Sequence, residues 1–459
     1  MATSLCPGCI QRDRRIAELE KRIAFLQAQL EQSKRASKRQ AAPFSKGAPK
    51  KKPRSTARPS GANYGKHGHR PCPPDDQIDE TLEALLPDCC PHCGGDITES
   101  DEVDLQFQEE IARKPIRRKI RIHKGTCHCC GRRVRGRHRL QTSDAIGAAA
   151  SQIGADAQAT ITYLNKHSGL SYGKISDLFE RTYGIHLTRS ACAQAVLRTG
   201  RRLQPVYEEI KQHIRAAEYL TPDETGWRVG GHPAWLHAWV AEDGATCFVI
   251  DQRRSAEVLE ETIGSNWSGN MTHDGFTSYG RFVDAAHQQC LAHVLRRAHT
   301  IEETATGRAK DFPRQVIDVF QGGLAVRDQF LSGQLDQAEI LRAHEEYTER
   351  LRELSFRPRA NQANDKLANH LYNHTGEWFM FLVDPNIPAT NYRGEQALKT
   401  PIVNRKVWGG NRSPPGVKAQ EVNASVIATC KKRAQCAITF ISQALCGSVG
   451  SLFTTATQR

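Results

Sequence analysis

The chain has 459 residues, enough for two to four domains of about 150 residues each, and its 39% hydrophobic and 25% charged residues are ordinary for a globular protein. That length excludes a single small domain, and the lack of any apolar run near the roughly 18 residues of a membrane span leaves no membrane partner to expect. The 64 Lys and Arg residues against 50 Asp and Glu give a formal charge of +14, and twelve of the cations fall between Lys34 and Arg70, where there is no acid.

Residues 1–33 open with a Cys6-Pro-Gly-Cys9 knuckle that has no partner pair beside it in sequence, so it is a weaker metal candidate than the knuckles further along. Arg12, Asp13, Arg14 and Arg15 arrive before an apolar signal core could form, so a cytoplasmic location is expected, at the nucleoid if the partner is DNA. Ile16, Leu19, Ile23, Leu26 and Leu30 then repeat at heptad a and d spacing. They fit either a short parallel coiled coil, hence a homodimer or larger assembly, or one amphipathic helix packed on the chain itself.

Residues 34–70 are basic and rich in Pro, Ser and Gly, a composition that cannot bury enough apolar surface to order itself. This linker is expected to be disordered and to bind a polyanion, DNA first, with Lys50, Lys51, Lys52 and Arg54 as its densest cluster.

Residues 71–140 carry two further knuckles. Cys90-Pro-His-Cys93 and Cys127-His-Cys-Cys130 are separated by 33 residues, and a glycine follows each. Four thiolates from two such turns suit tetrahedral structural Zn²⁺, and Val103 to Ile122 alternates enough to supply strands, so a zinc ribbon is expected. Cys89 and Cys129 are spare thiols beside the four. Residues 141–216 read as helical, with a polar turn near Tyr183-Gly184 that allows either a DNA-reading helix-turn-helix or plain packing.

From 217 to 283 the texture changes to strands over Tyr219 to Val229, Ala234 to Ala241 and Thr246 to Asp251, then a helix over Ser255 to Ile263 and a strand ending in Met271-Thr-His-Asp-Gly275. Three antiparallel strands, a crossover helix and a fourth strand open a ribonuclease H-like fold, in which carboxylates on the first and fourth strands and a late helix meet. The acids so placed are Asp223 or its neighbour Glu224, Asp274, and Glu395 on a short helix from Asn391 that Pro401 is expected to end or kink. Strand side chains alternate between faces, so only one of Asp223 and Glu224 can join the site, and alternation does not say which. Three carboxylates without thiolate or imidazole favour two Mg²⁺ ions, with Mn²⁺ able to substitute, in phosphoryl transfer.

Between Asp274 and Glu395 lie 120 residues, more than a minimal core needs, and 284–383 reads as a helical insertion. His287, Cys290 and His293 repeat every three residues there and would share a helix face; buried side chains or a metal or DNA contact both fit. Residues 384–412 return to the core, where Arg405 and Lys406 could hold a phosphate, and 413–459 form a helical tail.

The segments Thr-Pro-Asp223-Glu-Thr-Gly-Trp-Arg-Val-Gly-Gly231, His-Asp274-Gly-Phe-Thr-Ser-Tyr279, Gln-Cys290-Leu-Ala-His293-Val-Leu-Arg-Arg297, Asn391-Tyr-Arg-Gly-Glu395-Gln-Ala-Leu and Asn404-Arg-Lys-Val-Trp-Gly-Gly410 resemble the IS66 family of bacterial insertion-sequence transposases along nearly the whole chain. That resemblance implies a coiled coil, a basic linker, a zinc-binding domain and a DDE core, whose acids fall on Asp223, Asp274 and Glu395. By resemblance, then, Asp223 rather than Glu224 is the catalytic acid. The family commonly has Ala-Glu-Arg-Ala around its Glu where this chain has Gly394-Glu395-Gln396-Ala397, and a small hydroxyl residue where this chain has His273, whose side chain is expected to point away from the face of Asp274.

The sequence therefore reads as a multidomain α+β protein: coiled coil, zinc ribbon, helical DNA-binding region and ribonuclease H-like core with a helical insertion. The expected activity is a DDE-type DNA transposase, a polynucleotidyl transferase that cleaves at an element's terminal inverted repeats and joins the freed 3′-hydroxyl to target DNA. Accessory proteins of the same element are expected partners. The rivals are a non-catalytic zinc-ribbon repressor derived from a transposase, and a metal-dependent nuclease without strand transfer.

Overall fold

The structure, a computed structural model, describes residues 152–453 except 358 and 448–449, and most of 72–142 except 83–84, 86, 90, 97–104 and 109–113. It also describes Ile16, Leu19, Glu20, Arg22, Ile23, Leu26 and Gln27. Cys6, Cys9, Leu30, Cys90 and the whole stretch from Lys34 to Arg70 lie outside the described residues. Contacts divide the chain into a unit of 41–116 and a unit of the remainder.

In the smaller unit the described residues form a short 3₁₀ turn, Asp75–Gln77, and a turn after Cys93 in which Gly94 takes a φ of +75°. In the larger unit Ile16, Leu19, Ile23 and Leu26 are helical and exposed. Strands β1 (Lys124–Thr126) and β2 (Arg133–Arg135) form an antiparallel hairpin around the second knuckle. Strands expected over Val103 to Ile122 are not found among the described residues there. Pairing instead falls on the segments that the Cys127 turn itself joins, where closing a loop of a few residues costs least.

Four helices follow: α1 (Ala155–Lys166), α2 (Tyr172–Tyr183), α3 (Arg189–Arg202) and α4 (Gln204–Ala216). Gly184 ends α2 in the left-handed conformation at φ +60°, and the Thr188 hydroxyl accepts from the Ala191 N–H to start α3, so the polar turn is a capped helix-to-helix connection.

The sheet holds β3 (Tyr219–Val229), β4 (His232–Ala241), β5 (Thr246–Asp251), β6 (Asn270–His273) and β7 (Ala286–Gln289), in the order β5-β4-β3-β6-β7. The first three are antiparallel; β6 runs parallel to β3, and β7 to β6. Helix α5 (Ala256–Ile263) makes the crossover. This is the strand arrangement expected of a ribonuclease H-like core, and the segment from 284 contributes β7 to it before any helix begins. Trp239, Leu220 and Met271 of the sheet are buried with Tyr207 and Ile210 of α4.

Helices α6 (Leu291–Thr304), α7 (Asp311–Leu331), α8 (Gln337–Phe356), α9 (Gln362–Asn373) and α10 (Met380–Val383) form the insertion, with their own core around Phe320, Leu367, Trp378, Phe379 and Phe381. Helix α11 (Tyr392–Trp408) then returns to the sheet. It runs through Pro401 rather than ending there. A helix-interior proline costs about 3 kcal/mol, but Leu398, Pro401 and Asn404 are all buried, and Asn404 Nδ2 donates to the Lys166 carbonyl at 2.6 Å, so contacts on both sides of the proline hold the helix.

Helices α12 (Pro414–Lys432) and α13 (Ala437–Leu445) complete the larger unit. β5 is an edge strand, and its outward N–H groups at Thr246, Phe248 and Ile250 donate to Thr429, Ser425 and Glu421, spaced by four along α12. The edge is thereby closed to further pairing.

Candidate active site

Asp223 lies in β3 opposite Ala238 of β4. On the other side, β3 pairs with β6 only at Tyr219↔Asn270 and Leu220↔Met271; the parallel ladder stops two residues before Pro222, which has no N–H to donate. Continued in register, the ladder would set Asp223 against Asp274, so the two acids stand where the strands part. Asp223 Oδ1 accepts from the Glu224 N–H at 2.9 Å, and Asp274 Oδ1 accepts from the Phe276 N–H at 3.1 Å.

Glu395 comes from the first turn of α11, whose close approach to β3 depends on Gly394. Its Oε1 stands 3.5 Å from His293 Nε2, in the first turn of α6. Burial, and then the negative charges of Glu224, Asp274 and Glu395, push the Asp223 carboxyl up to about 7 against the lowering effect of the Glu224 N–H. Among the described residues no Lys or Arg pairs with any of these three acids, and no three His, Cys, Asp or Glu side chains stand already closed to metal-ligand spacing.

Glu224 faces the other way. Its buried carboxylate pairs with Arg254 Nη2 at 2.5 Å and accepts from the Tyr279 hydroxyl at 2.8 Å, while the Arg254 guanidinium lies between the rings of Trp235 and Phe276. His273 is likewise turned inward: its Nε2 meets His287 Nδ1 at 3.0 Å, and burial, with His287 and His374 nearby, lowers its pKa to about 3, so the ring is neutral.

The three-residue repeat does not form one helix face. His287 is on β7, Cys290 precedes α6, and only His293 reaches the acids. The Cys290 thiol is buried and its Sγ accepts from the Asn391 N–H at 3.3 Å, which anchors the start of α11. His293 Nδ1 is buried without a hydrogen-bond partner among the described residues. Its pairing with Glu395 spans about a hundred residues and left no signal in sequence spacing beyond the imidazole itself.

Arg405 is half-buried, with Nη1 3.3 Å from the Thr225 hydroxyl. Thr225 is two residues beyond Asp223 and therefore on the same strand face. Lys406, by contrast, is exposed on α11.

At the second knuckle the Cys127 N–H donates to the Arg132 carbonyl and the Gly131 N–H to the Cys127 carbonyl, both at 2.9 Å, with Gly131 at φ +66°. Backbone N–H groups of Cys130 and Cys129 lower the Cys127 thiol below its ordinary pKa, which favours the thiolate a metal needs. Cys93 and Cys130 are exposed free thiols.

A mixed sheet in this order, flanked by helices and carrying acids where β3 and β6 part, fits the catalytic core of a transposase. The family model described as "Transposase IS66 family" matches residues 150–419, more than half of the chain and all three acids, and the chain belongs to that family. No curated protein matches it. Membership implies DNA as a partner, and no helix among the described residues is long and apolar enough to cross a membrane.

Proposed function

We propose that the chain is a catalytically competent DDE-type transposase in which Asp223, Asp274 and Glu395 form the reaction centre. The observation that carries this reading is their convergence from β3, the end of β6 and the start of α11, with Glu224 turned away to Arg254. The donor set fits hard divalent cations: three carboxylates, one of them raised first by burial and then by the negative charges of its neighbours. Asp223, Asp274 and Glu395 would hold Mg²⁺, or Mn²⁺ in its place. Such ions, when bound, activate the attacking oxygen and stabilise the leaving one in phosphoryl transfer.

The chain's own residues orient the DNA. Arg405, on the Asp223 face and without a carboxylate partner among the described residues, binds a phosphate next to the cleaved bond. His293, 3.5 Å from the Glu395 carboxylate, orients it. Water cleaves a phosphodiester at the element's end, and the freed 3′-hydroxyl then attacks target DNA. Around this core, the arm from Lys34 to Arg70 supplies sequence-independent affinity. Cys90, Cys93, Cys127 and Cys130 hold structural Zn²⁺, with Cys6 and Cys9 a further knuckle, and the exposed Ile16, Leu19, Ile23 and Leu26 pair two chains.

The test is cleavage and joining of labelled end DNA by the full chain and by Asp223→Ala, Asp274→Ala and Glu395→Ala. Each variant should retain end binding and lose both reactions; substantial Mg²⁺-dependent joining by any one of them removes that residue from the centre.

A further inference from the structure

The Asp274-Gly275 turn does not stand on its own strand alone. Gly275 has a φ of +88°, and a Cβ built on it would meet Gln289 Oε1 at 2.8 Å, so the end of this side chain is packed against the turn. Gln289 is the last residue of β7, directly across from His273 in the ladder, and is only 2% exposed. Its Nε2 donates to Glu377 Oε2 at 2.5 Å and lies 3.3 Å from His374 Nδ1, which is itself 3.1 Å from the same Glu377 oxygen. Its neighbour Gln288, fully buried, donates to the Trp378 carbonyl and accepts from the Phe381 N–H. His374, Glu377, Trp378 and Phe381 all belong to the helical insertion, so two buried glutamines tie the insertion to the strand end beside Asp274.

We infer that Glu377 is a positioning residue: through Gln289 it fixes the Asp274-Gly275 turn, and so makes the acidic site's affinity for a divalent cation depend on the insertion. The physical reason is the amide's two-sided role. A glutamine whose Nε2 is held by a carboxylate cannot rotate, so its Oε1 becomes a fixed wall against Gly275; without Glu377 the amide is free to turn and the wall moves. Because Gly275 immediately follows Asp274, a shift of the turn moves the carboxylate. Groups that hydrogen-bond a metal ligand directly change metal affinity by about 10- to 100-fold when mutated, and Glu377, acting through Gln289, belongs at the lower end of that range. This inference rests on the reading of Asp274 as a metal-holding residue.

The experiment is titration of the full chain with Mn²⁺, free ion being read by electron paramagnetic resonance, without DNA and without turnover. Glu377→Ala should weaken Mn²⁺ binding about tenfold, and Glu377→Gln, which keeps an acceptor for Gln289, should restore it. End-DNA binding in metal-free buffer should be unchanged in both. If Glu377→Ala does not fold, Gln289→Asn, one methylene too short to span from Glu377 to Gly275, should give the same loss. Wild-type Mn²⁺ affinity in the folded Glu377→Ala chain, or in Gln289→Asn where that chain is used instead, overturns the inference. Asp274→Ala separates the two levels: if it binds Mn²⁺ as wild type does, the metal-site reading fails. If it loses the ion while the Glu377 variant keeps it, the positioning role alone falls.

Discussion

The Cβ that Gly394 lacks would stand 3.0 Å from the Cβ of Asp223, and 3.2 Å from the carbonyl oxygens of Thr221 and Pro222. Helix α11 therefore rides directly on the backbone of β3 at the residue before Glu395, which brings the third acid to the first. Glycine in a helix interior costs about 1 kcal/mol relative to alanine, and here the missing side chain permits the contact. A branched side chain cannot be absorbed, because two of the three nearest atoms are backbone. Gly394→Val should cost about 1–3 kcal/mol of stability and, by lifting Glu395 away from Asp223, should remove cleavage while leaving end binding intact. Denaturant melts and a cleavage assay on the same preparation check both; full activity in this variant would mean that the helix contact does not position Glu395.

Much of this was legible in the sequence, and what was not has identifiable causes. The strands, the crossover helix and acids on β3 and at the end of β6 follow from alternation and turn residues. The choice between Asp223 and Glu224 does not, because alternation separates the two without saying which face holds the site; what distinguishes them in the structure is that Glu224 pairs with Arg254 and accepts from the Tyr279 hydroxyl, both distant in sequence. Local rules failed where packing outweighed them. Of the two outcomes expected at Pro401, an end or a kink, the helix does not end, because Leu398 and Asn404 on either side of the proline are buried and hold it together. The even spacing of His287, Cys290 and His293 implied one face, but β7 ends between the first and second of them. His293 beside Glu395 and Glu377 beside Gln289 are tertiary pairs that spacing cannot carry.

Asp223 makes stability depend on pH in a direction opposite to a paired carboxylate. Its folded pKa, about 7, lies above its ordinary value of 3.8, so the folded state binds its proton more tightly than the unfolded state. The penalty is absent below pH 3.8, grows as pH rises towards 7, and is fully present above. Asp223→Asn should therefore be more stable than wild type by on the order of 3 kcal/mol above neutrality, with the gap closing towards pH 4. Urea melts in a chelating buffer across that range check it. A constant difference between the chains would show that Asp223 does not carry a raised pKa.

Glu224 and Asp223 should separate stability from chemistry. Removing one partner of a buried ion pair costs about 3–5 kcal/mol, a figure reduced here because Arg254 is partly exposed. Glu224→Ala should thus lower the melting temperature clearly, whereas Glu224→Gln, whose carbonyl can still accept from Tyr279 and Arg254, should lose less and retain strand cleavage when folded. Asp223→Ala should show the reverse pattern, a stable chain without cleavage. Equal loss of cleavage in folded Glu224→Gln and Asp223→Ala would overturn the assignment of faces.

The purified chain should hold about one tightly bound Zn²⁺ in the ribbon, because folding and metal binding in such domains are one equilibrium. Cys93→Ser or Cys130→Ser should lose that ion and weaken end binding without altering the melting of the catalytic core. Folded protein without zinc by elemental analysis would refute the ribbon. A second equivalent, lost on mutating Cys6 or Cys9, would assign metal to the amino-terminal knuckle.

The arm from Lys34 to Arg70 should contribute affinity without selectivity. Each neutralised phosphate releases counterions, so a protein making about 6 to 10 such contacts loses roughly 10³ to 10⁵ in affinity between 50 and 200 mM salt. Twelve cations without an acid suffice for contacts on that scale. Phosphates carry no base identity, so replacing Lys50, Lys51, Lys52 and Arg54 with neutral residues should weaken binding to end DNA and to random DNA by a similar factor and flatten both salt slopes. Arg405, placed on the Asp223 face, belongs to the other class: Arg405→Ala should impair cleavage more than it impairs binding. Binding isotherms at several salt concentrations, with end and random duplexes, decide the point. Loss of the preference for end DNA with random-DNA affinity unchanged would make the arm a reader of sequence.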